Sequence, residues 1–244
     1  MRVPRIHTPQ PLAEGATVTL QPEPSKHLSQ VLRLGHGDRL LLFNGDGRDY
    51  AGVIESAARA AAAVRIEQVG EPEPPAALEI QLAIGVSTGE RMDLALQTAV
   101  ELGVSSLAPW FTERSVVRLR DERLDKRVQH WRGVIIAACE QSGRRRLPSL
   151  AEPMRLSDWL AEAPPGALLL DHRASQPIAA LAPPPDQRLT LLVGPEGGLA
   201  PKEREAAHDR GLIGVRMGPR ILRTETAPLA AIAAIQALWG DFRR

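Results

Sequence analysis

The chain has 244 residues, 43% of them hydrophobic and 24% charged, with 20 Gly and 21 Pro, a globular composition that excludes a disordered or collagen-like chain. At roughly 100 to 200 residues per domain the length allows one large domain or two unequal ones, and no apolar run approaches the roughly 20 residues of a membrane span. A net charge of +1 decides nothing about nucleic acid, and a start reading MRVPRIHTPQ, with no apolar signal stretch, predicts a cytoplasmic protein.

Residues 1 to about 70 carry short apolar runs broken by turn signals. LGHGD (Leu34 to Asp38) precedes LLLF (Leu40 to Phe43), and NGDG (Asn44 to Gly47) follows it. Asn-Gly beside an apolar run signals a hairpin. With Val53-Ile54 and Val64 to Ile66, this stretch predicts a small β-barrel or sandwich, with one short helix around Lys26 to Leu34. The sequence EPEPP at 71–75 continues neither helix nor central strand and reads as a linker.

From residue 76 to 244 the rhythm changes to strands alternating with helices. Strands are expected at Ile80 to Val86, Val104 to Ala108, Ala167 to Leu170, Leu189 to Val193 and Ile213 to Met217. Met92, Ala95, Leu96, Ala99 and Val100 follow helical spacing, with Gly103 placed to stop the helix. Leu124, Val128, Trp131, Ile135 and Ala138 mark a second helix ending near Glu140, and Lys202 to Arg210 a third. The last, Pro228 to Trp239, is apolar almost all round and so must be buried against sheet or partner. The pattern is that of an α/β domain with a mainly parallel sheet, whose ligands bind at the carboxyl ends of strands.

Three stretches carry candidate chemistry. Leu189 to Val193 runs into Gly194-Pro195-Glu196-Gly197-Gly198, where three glycines leave a turn with bare backbone. This is either a ligand cradle or only a tight strand-to-helix turn; it is neither a P-loop nor GxGxxG. After Met217 comes Gly218-Pro219-Arg220-Ile221-Leu222-Arg223-Thr224-Glu225-Thr226-Ala227. It reads as a functional loop, or as a helix start capped by Thr224 or Thr226 with Glu225 in its first turn.

The third stretch lies in the basic segment from Thr112 to Arg146, which holds ten Lys or Arg against five Asp or Glu. Only three lysines accompany 27 arginines in the chain; codon bias accounts for this as readily as phosphate binding does. The segment ends in Glu140-Gln141-Ser142-Gly143-Arg144-Arg145-Arg146, a phosphate-binding patch or a solvated surface on which Glu140 and Arg144 pair four residues apart. The six histidines show no two-histidine metal spacing, no GxSxG elbow is present, and a lone Cys139 makes neither an internal disulfide nor a cysteine zinc cluster. No metal site is expected.

Taken together these strings resemble the RsmE family, the 16S ribosomal RNA uracil-N3 methyltransferases of the SPOUT class. The resemblance covers nearly the whole chain: MRVPRI at the start, His27 with Val31-Leu32-Arg33, Glu101-Leu102-Gly103-Val104, Glu113-Arg114-Ser115, Glu140-Gln141 with Arg144, GPEGG at Gly194 to Gly198, and RILRTETA at Arg220 to Ala227. The last two are specific in this order and spacing. Thr88 and Thr98 depart from the pattern, in which lysines are expected.

The resemblance implies an α/β fold in which a C-terminal SPOUT-type domain with a deep trefoil knot (76–244) follows a smaller N-terminal PUA-like β-barrel for RNA (1–70). It implies a homodimer whose active sites are built at the subunit interface, and no membrane. S-adenosyl-L-methionine would be held bent by Leu170, Asp171, Gly194, Pro195, Glu196, Gly197, Gly198, Met217, Gly218, Ile221 and Leu222. The RNA partner, 16S ribosomal RNA of the small ribosomal subunit, would be gripped by Arg2, Arg5, Arg33, Arg114, Arg145, Arg146 and Arg223.

Methylating uracil N3 removes its proton, so an oxyanion stabiliser or base is needed. Arg144 supported by Glu140 suits that role, with Glu225 organising the cofactor loop. Two other classes share parts of this pattern. One is a non-catalytic RNA-binding or ribosome-assembly protein; the other is a small-molecule enzyme using GPEGG for a nucleotide phosphate.

Overall fold

The computed structural model describes residues 3–112 and 121–243. The chain divides into two compact units, Met1–Pro75 with Ile136–Leu147, and Ala76–Ile135 with Pro148–Arg244.

The first unit contains β1 (Arg5–His7), β2 (Thr17–Thr19), α1 (Pro22–Lys26), β3 (Arg39–Phe43), β4 (Tyr50–Ser56) and β5 (Ala63–Val69). They form one mixed, curled sheet in the order β1-β3-β4-β5-β2. β1 lies parallel to β3 and the other pairs are antiparallel. Alternation along β3 and β4 sends Leu40, Leu42 and Ile54 inward onto Leu28, Val64 and Ile66.

The Asn-Gly signal does close a hairpin, through six residues rather than two. Gly45 and Gly47 take left-handed backbone (φ 92° and 96°), and the Asp46 carboxylate accepts the Arg48 N–H at 2.8 Å and the Tyr50 hydroxyl at 2.6 Å. The helix expected around Lys26 to Leu34 starts earlier, with Pro22 in its first turn, then widens into a π-helical turn over His27–Val31. Arg33, left-handed at φ 55°, closes it. EPEPP is not a free tether, because Glu73 N–H donates to the Gly47 carbonyl at 2.7 Å.

The second unit holds β6 (Glu79–Gly85), α2 (Gly89–Glu101), β7 (Ser106–Phe111) and the start of α3 (Asp121–Ser142), whose C-terminal end belongs to the first unit. Then follow β8 (Ser149–Leu150), β9 (Met154–Arg155), α4 (Leu156–Glu162), β10 (Leu168–Leu170), β11 (Arg188–Val193), α5 (Pro201–Asp209), β12 (Ile213–Val215) and α6 (Thr226–Trp239).

Among the described residues the sheet has the order β12-β10-β11-β6-β7-β8, with β9 also on β7, and every pairing is parallel. Both faces are covered, as a parallel sheet requires. Ala83, Trp110, Leu169 and Leu192 pack with Trp159 and Leu160 of α4 and Ala207 of α5, while the alternate residues Ile80, Leu82, Ile84 and Leu191 are buried too.

α2 and α6 pack together. Gly103, left-handed at φ 88°, ends α2 where expected, and Gln236 of α6 donates to the Leu102 carbonyl at 2.8 Å. A Cβ at Gly103 would lie 2.8 Å from the Gln236 amide nitrogen. That glycine therefore serves both the turn and the close approach of α6.

Candidate ligand cavity and arginine turn

Three neighbouring strands, β10, β11 and β12, run parallel and end at one edge of the second unit, where a cavity of about 440 Å³ opens. That size falls within the roughly 300–1,000 Å³ of small-molecule sites. Its walls are the turn from Gly194 to Leu199, the strand ends at Leu170 and Val193, and the loop carrying Met217, Ile221, Leu222 and Thr224. Nine of the residues predicted to hold a cofactor meet there: Leu170, Gly194, Pro195, Glu196, Gly197, Gly198, Met217, Ile221 and Leu222. Asp171 and Gly218 are beside it rather than on its wall.

The glycine turn is closed by Gly198 N–H on the Pro195 carbonyl at 2.8 Å, and Gly198 is left-handed at φ 63°. A Cβ at Gly85, the last residue of β6, would overlap Pro195. Gly85 was not singled out from the sequence; its one signal is a glycine closing a buried strand. Behind the turn, Glu203 Oε2 accepts the Ala200 N–H at 2.7 Å and Pro201 opens α5, so the chain leaves the cavity in a fixed direction.

Glu196 is the carboxylate on the wall. Its Oε1 accepts the Thr88 N–H at 2.9 Å and the Thr88 hydroxyl at 3.0 Å, with Arg91 at 3.6 Å. Burial pushes this carboxyl upward, but the Thr88 bonds, its own N–H and the Ser87 hydroxyl outweigh burial and hold it below its ordinary range. Thr88, at the position where a lysine was expected, thus fixes the turn to the start of α2. The other departure, Thr98, donates its hydroxyl to the Leu94 carbonyl one helical turn back at 2.8 Å.

At the far rim Asp171 turns to Arg204 at 2.8 Å, leaving its neighbours His172 and Arg173 to line the cavity. Glu225 occupies the residue before α6 with no side-chain cap bond. The cap position is thus held by Glu225 and by neither Thr224 nor Thr226.

In the first unit, Glu140 and Arg5 make contacts other than those expected. Glu140 and Arg144 do not share a helix, because α3 ends at Ser142 and Gly143 (φ 92°) reverses the chain. Glu140 instead accepts the His7 N–H at 2.9 Å, and burial raises its carboxyl despite that bond and the nearby His27 and Arg5. Arg5 is not placed to grip RNA. Its side chain is 6% exposed, paired with Asp49 at 2.8 Å and stacked 4.9 Å from the Phe43 ring centre; reaching a phosphate would mean abandoning all of this.

Arg145 is half-buried, with Asp49 at 3.1 Å and its Nη1 on the Glu71 carbonyl at 2.6 Å. Arg33, Arg146 and Arg223 are exposed. Arg2 and Arg114, together with Glu113 and Ser115, lie outside the described residues. Within the second unit, Arg132 of the basic segment is spent on Glu152 at 3.1 Å. Burial also pushes the Cys139 thiol up to about 11. Among the described residues no group of three or more His, Cys, Asp or Glu is placed to hold a metal ion, and no helix is long and apolar enough to cross a membrane.

A parallel sheet with a glycine-lined cavity at its strand ends, preceded by a small mixed sheet, defines the class. Residues 74–236 match the family model of the RNA methyltransferase domain, and residues 20–67 that of the RNA methyltransferase PUA domain. The chain belongs to the ribosomal RNA small subunit methyltransferase E family.

Two relatives of that name illustrate the match. The protein of Mycobacterium tuberculosis is 34% identical over 92% of this chain and 87% of its own. That of Buchnera aphidicola from Schizaphis graminum is 31% identical over 98% of each. A methyltransferase of Legionella pneumophila in complex with the bound cofactor SAM superposes with a TM-score of 0.94 at 37% identity, covering 99% of this chain and 100% of that one. The ribosomal RNA small subunit methyltransferase E of Neisseria gonorrhoeae, bound to S-adenosyl methionine, gives 0.91 at 36% identity over the same shares.

Proposed function

We propose that this protein transfers a methyl group from S-adenosyl-L-methionine to N3 of a uridine in 16S ribosomal RNA, in the cytoplasm. The observation that carries this reading is the cavity, in which nine predicted cofactor residues from three separate loops meet. Its chemistry suits the ligand. Leu170, Val193, Met217, Ile221 and Leu222 offer apolar cover for an adenine ring, and the Gly194 to Gly198 backbone offers polar groups for its edges. A phosphate-gripping lysine is missing from this turn, which argues against ATP or another nucleotide phosphate.

Bound S-adenosylmethionine supplies an electrophilic methyl group on a sulfonium. The chain must supply the rest. Glu196, tied to Thr88 and Arg91, anchors the turn that would hold the cofactor, and Glu225 organises the Met217 to Leu222 loop. Uracil N3 sits on the Watson–Crick edge, so a paired base is flipped out to react. As its proton leaves to water, negative charge grows on a uracil carbonyl, and Arg144 holds that charge until N3 takes the methyl group. The exposed Arg33, Arg146 and Arg223 contact phosphates. A homodimer and a trefoil knot in the C-terminal domain belong to the same reading.

Two measurements test it. Titration calorimetry should give about one S-adenosylmethionine site per protomer with no comparable heat from ATP, and mapping methylated uridines in ribosomal RNA from cells with and without the gene should reveal one lost mark. A protein that binds RNA but shows no cofactor heat would be an assembly factor instead. Arg144→Ala should slow single-turnover methylation on the order of a hundredfold with cofactor affinity little changed. A parental rate at saturating RNA would demote Arg144 to a binding residue.

A further inference from the structure

Arg144 follows the end of α3 and a left-handed glycine, so it stands outside the helix. The backbone around it is held by three distant stretches of the first unit. Arg5 Nη2 donates to the Arg144 carbonyl at 2.9 Å, and Arg5 Nη1 to Asp49 Oδ2 at 2.8 Å. The same carboxylate oxygen lies 3.1 Å from Arg145 Nε. Glu73, from the proline-rich segment, accepts the N–H groups of both Arg145 and Arg146 on one oxygen, at 2.7 and 2.9 Å.

The peptide joining Arg144 to Arg145 is thus pinned at both polar ends, its carbonyl by Arg5 and its N–H by Glu73. A peptide plane held on both sides fixes the Cα of Arg144 and its Cα–C bond, the point from which the side chain leaves the backbone. Solvent does little to loosen the arrangement, since the Arg5 and Asp49 side chains are only 6% and 16% exposed. Burying two charges costs desolvation that well-packed apolar residues would avoid, so stability alone is a poor reason for them.

We propose that Asp49, acting through Arg5 and Arg145 and together with Glu73, is the positioning residue that aims Arg144. The proposal rests on the assignment of Arg144 to the reacting uracil. Asp49 is its hub because one carboxylate faces two guanidinium groups: Arg5, which pins the Arg144 carbonyl, and Arg145, the next residue. None of these side chains needs to touch RNA or cofactor. Small displacements of a group that holds transition-state charge are expensive, about a hundredfold for 1 Å.

The test is a double-mutant cycle on the full-length protein, with single-turnover rates at saturating cofactor and RNA measured beside cofactor affinity and thermal melting. Asp49→Asn keeps the shape and removes the charge. It should slow methylation about tenfold or more while cofactor affinity stays within about twofold. Added to Arg144→Ala it should slow the reaction no further, because a residue that acts through Arg144 has nothing left to aim.

If Asp49→Asn turns over at the parental rate while Arg144→Ala is slow, the positioning role is wrong and the assignment of Arg144 stands. A parental rate for Arg144→Ala removes the assignment and the proposal together. Multiplying losses in the double variant would mark Asp49 as merely structural. Should Asp49→Asn lose its melting transition, Glu73→Ala takes its place in the cycle; it frees the Arg145 and Arg146 N–H groups without stranding a buried charge, and the same outcomes decide.

Discussion

Glu140 and Glu196 are both partly withdrawn from water, yet only Glu196 is given enough donors to stay ionised below its ordinary range. Three bonds from Thr88 and Ser87, with its own N–H, outweigh burial at Glu196; at Glu140 the single His7 N–H, with His27 and Arg5 nearby, does not. The consequences for stability have opposite signs. Glu196, lowered from 4.5, stabilises the fold above that value and loses its contribution as pH falls through the folded-state value. Glu140, raised from 4.5, contributes fully below that value and loses its contribution as pH rises through the folded-state value. Thermal melts between about pH 3 and pH 8 should therefore show Glu196→Gln least stable relative to the parent at neutral pH, with the gap closing in acid. Glu140→Gln, which still accepts the His7 N–H but carries no charge to bury, should match the parent in acid and gain on it as pH rises. Parallel curves for both variants would mean that neither carboxylate is perturbed as its surroundings imply. Glu140 is also where sequence reasoning went furthest astray at this scale: spacing of four residues suggested a pair with Arg144, and a glycine between them with left-handed backbone broke the helix first.

The turn from Gly194 to Leu199 is the element on which the cofactor assignment depends. Gly198 is left-handed, and a Cβ there meets nothing within 4 Å, so the obstacle to a side chain is backbone conformation and occupation of the cavity rather than a clash. Gly198→Leu should keep its melting transition and lose S-adenosylmethionine affinity by about tenfold or more, read by calorimetry; a folded variant with parental affinity would remove the turn from the site. This turn was legible in the sequence because it joins a run of buried apolar residues to a helix start through three glycines. β3, β6, β10 and β11 were legible for the same reason, as were α2 and α3, whose apolar positions repeat at helical spacing. Short elements without an apolar run were not. β1 and β2 have three residues each and β8 and β9 two, too few to show a period. α4 is hidden between Pro153 and Pro164, and its seven residues make fewer than two full turns. α6 begins at Thr226, two residues before the proline that marked its expected start. Gly85 and Thr88 could not have been connected to Glu196 from sequence, since nearly 110 residues separate them and only the parallel pairing of β6 with β11 brings them together.

At the scale of the whole molecule, near-zero net charge makes RNA affinity a matter of where the arginines lie. With Arg5 buried and Arg145 anchored, Arg146 is the exposed member of the arginine turn. Arg146→Ala should reduce the salt dependence of RNA binding by roughly one unit of slope, and an unchanged slope would leave it a solvated side chain. α6 is built for self-association. Between its first residue and Trp239 the one polar side chain is Gln236, which is buried and turned inward, donating to the Leu102 carbonyl at 2.8 Å and accepting the Asp241 N–H at 2.8 Å. Pro228, Ala231, Ile232 and Ile235 share that buried side. The other side is left with Leu229, 37% exposed, and with Ala230, Ala233, Ala237 and Leu238. It carries no charge at all, whereas a surface helix of a monomer presents polar residues outward. An apolar face of this kind marks an interaction site or an aggregation hazard, and a second copy of the same helix would cover it with matching small side chains. The protein should therefore sediment as a dimer at micromolar concentration. Leu229→Glu sets a carboxylate on that face at its most exposed leucine while leaving the inward residues untouched; it should sediment as a monomer or dissociate at about tenfold or higher concentration than the parent, with its melting transition retained. A parental protein that remains a soluble monomer, or a Leu229→Glu variant that dimerises as tightly as the parent, would place the subunit contact elsewhere or nowhere.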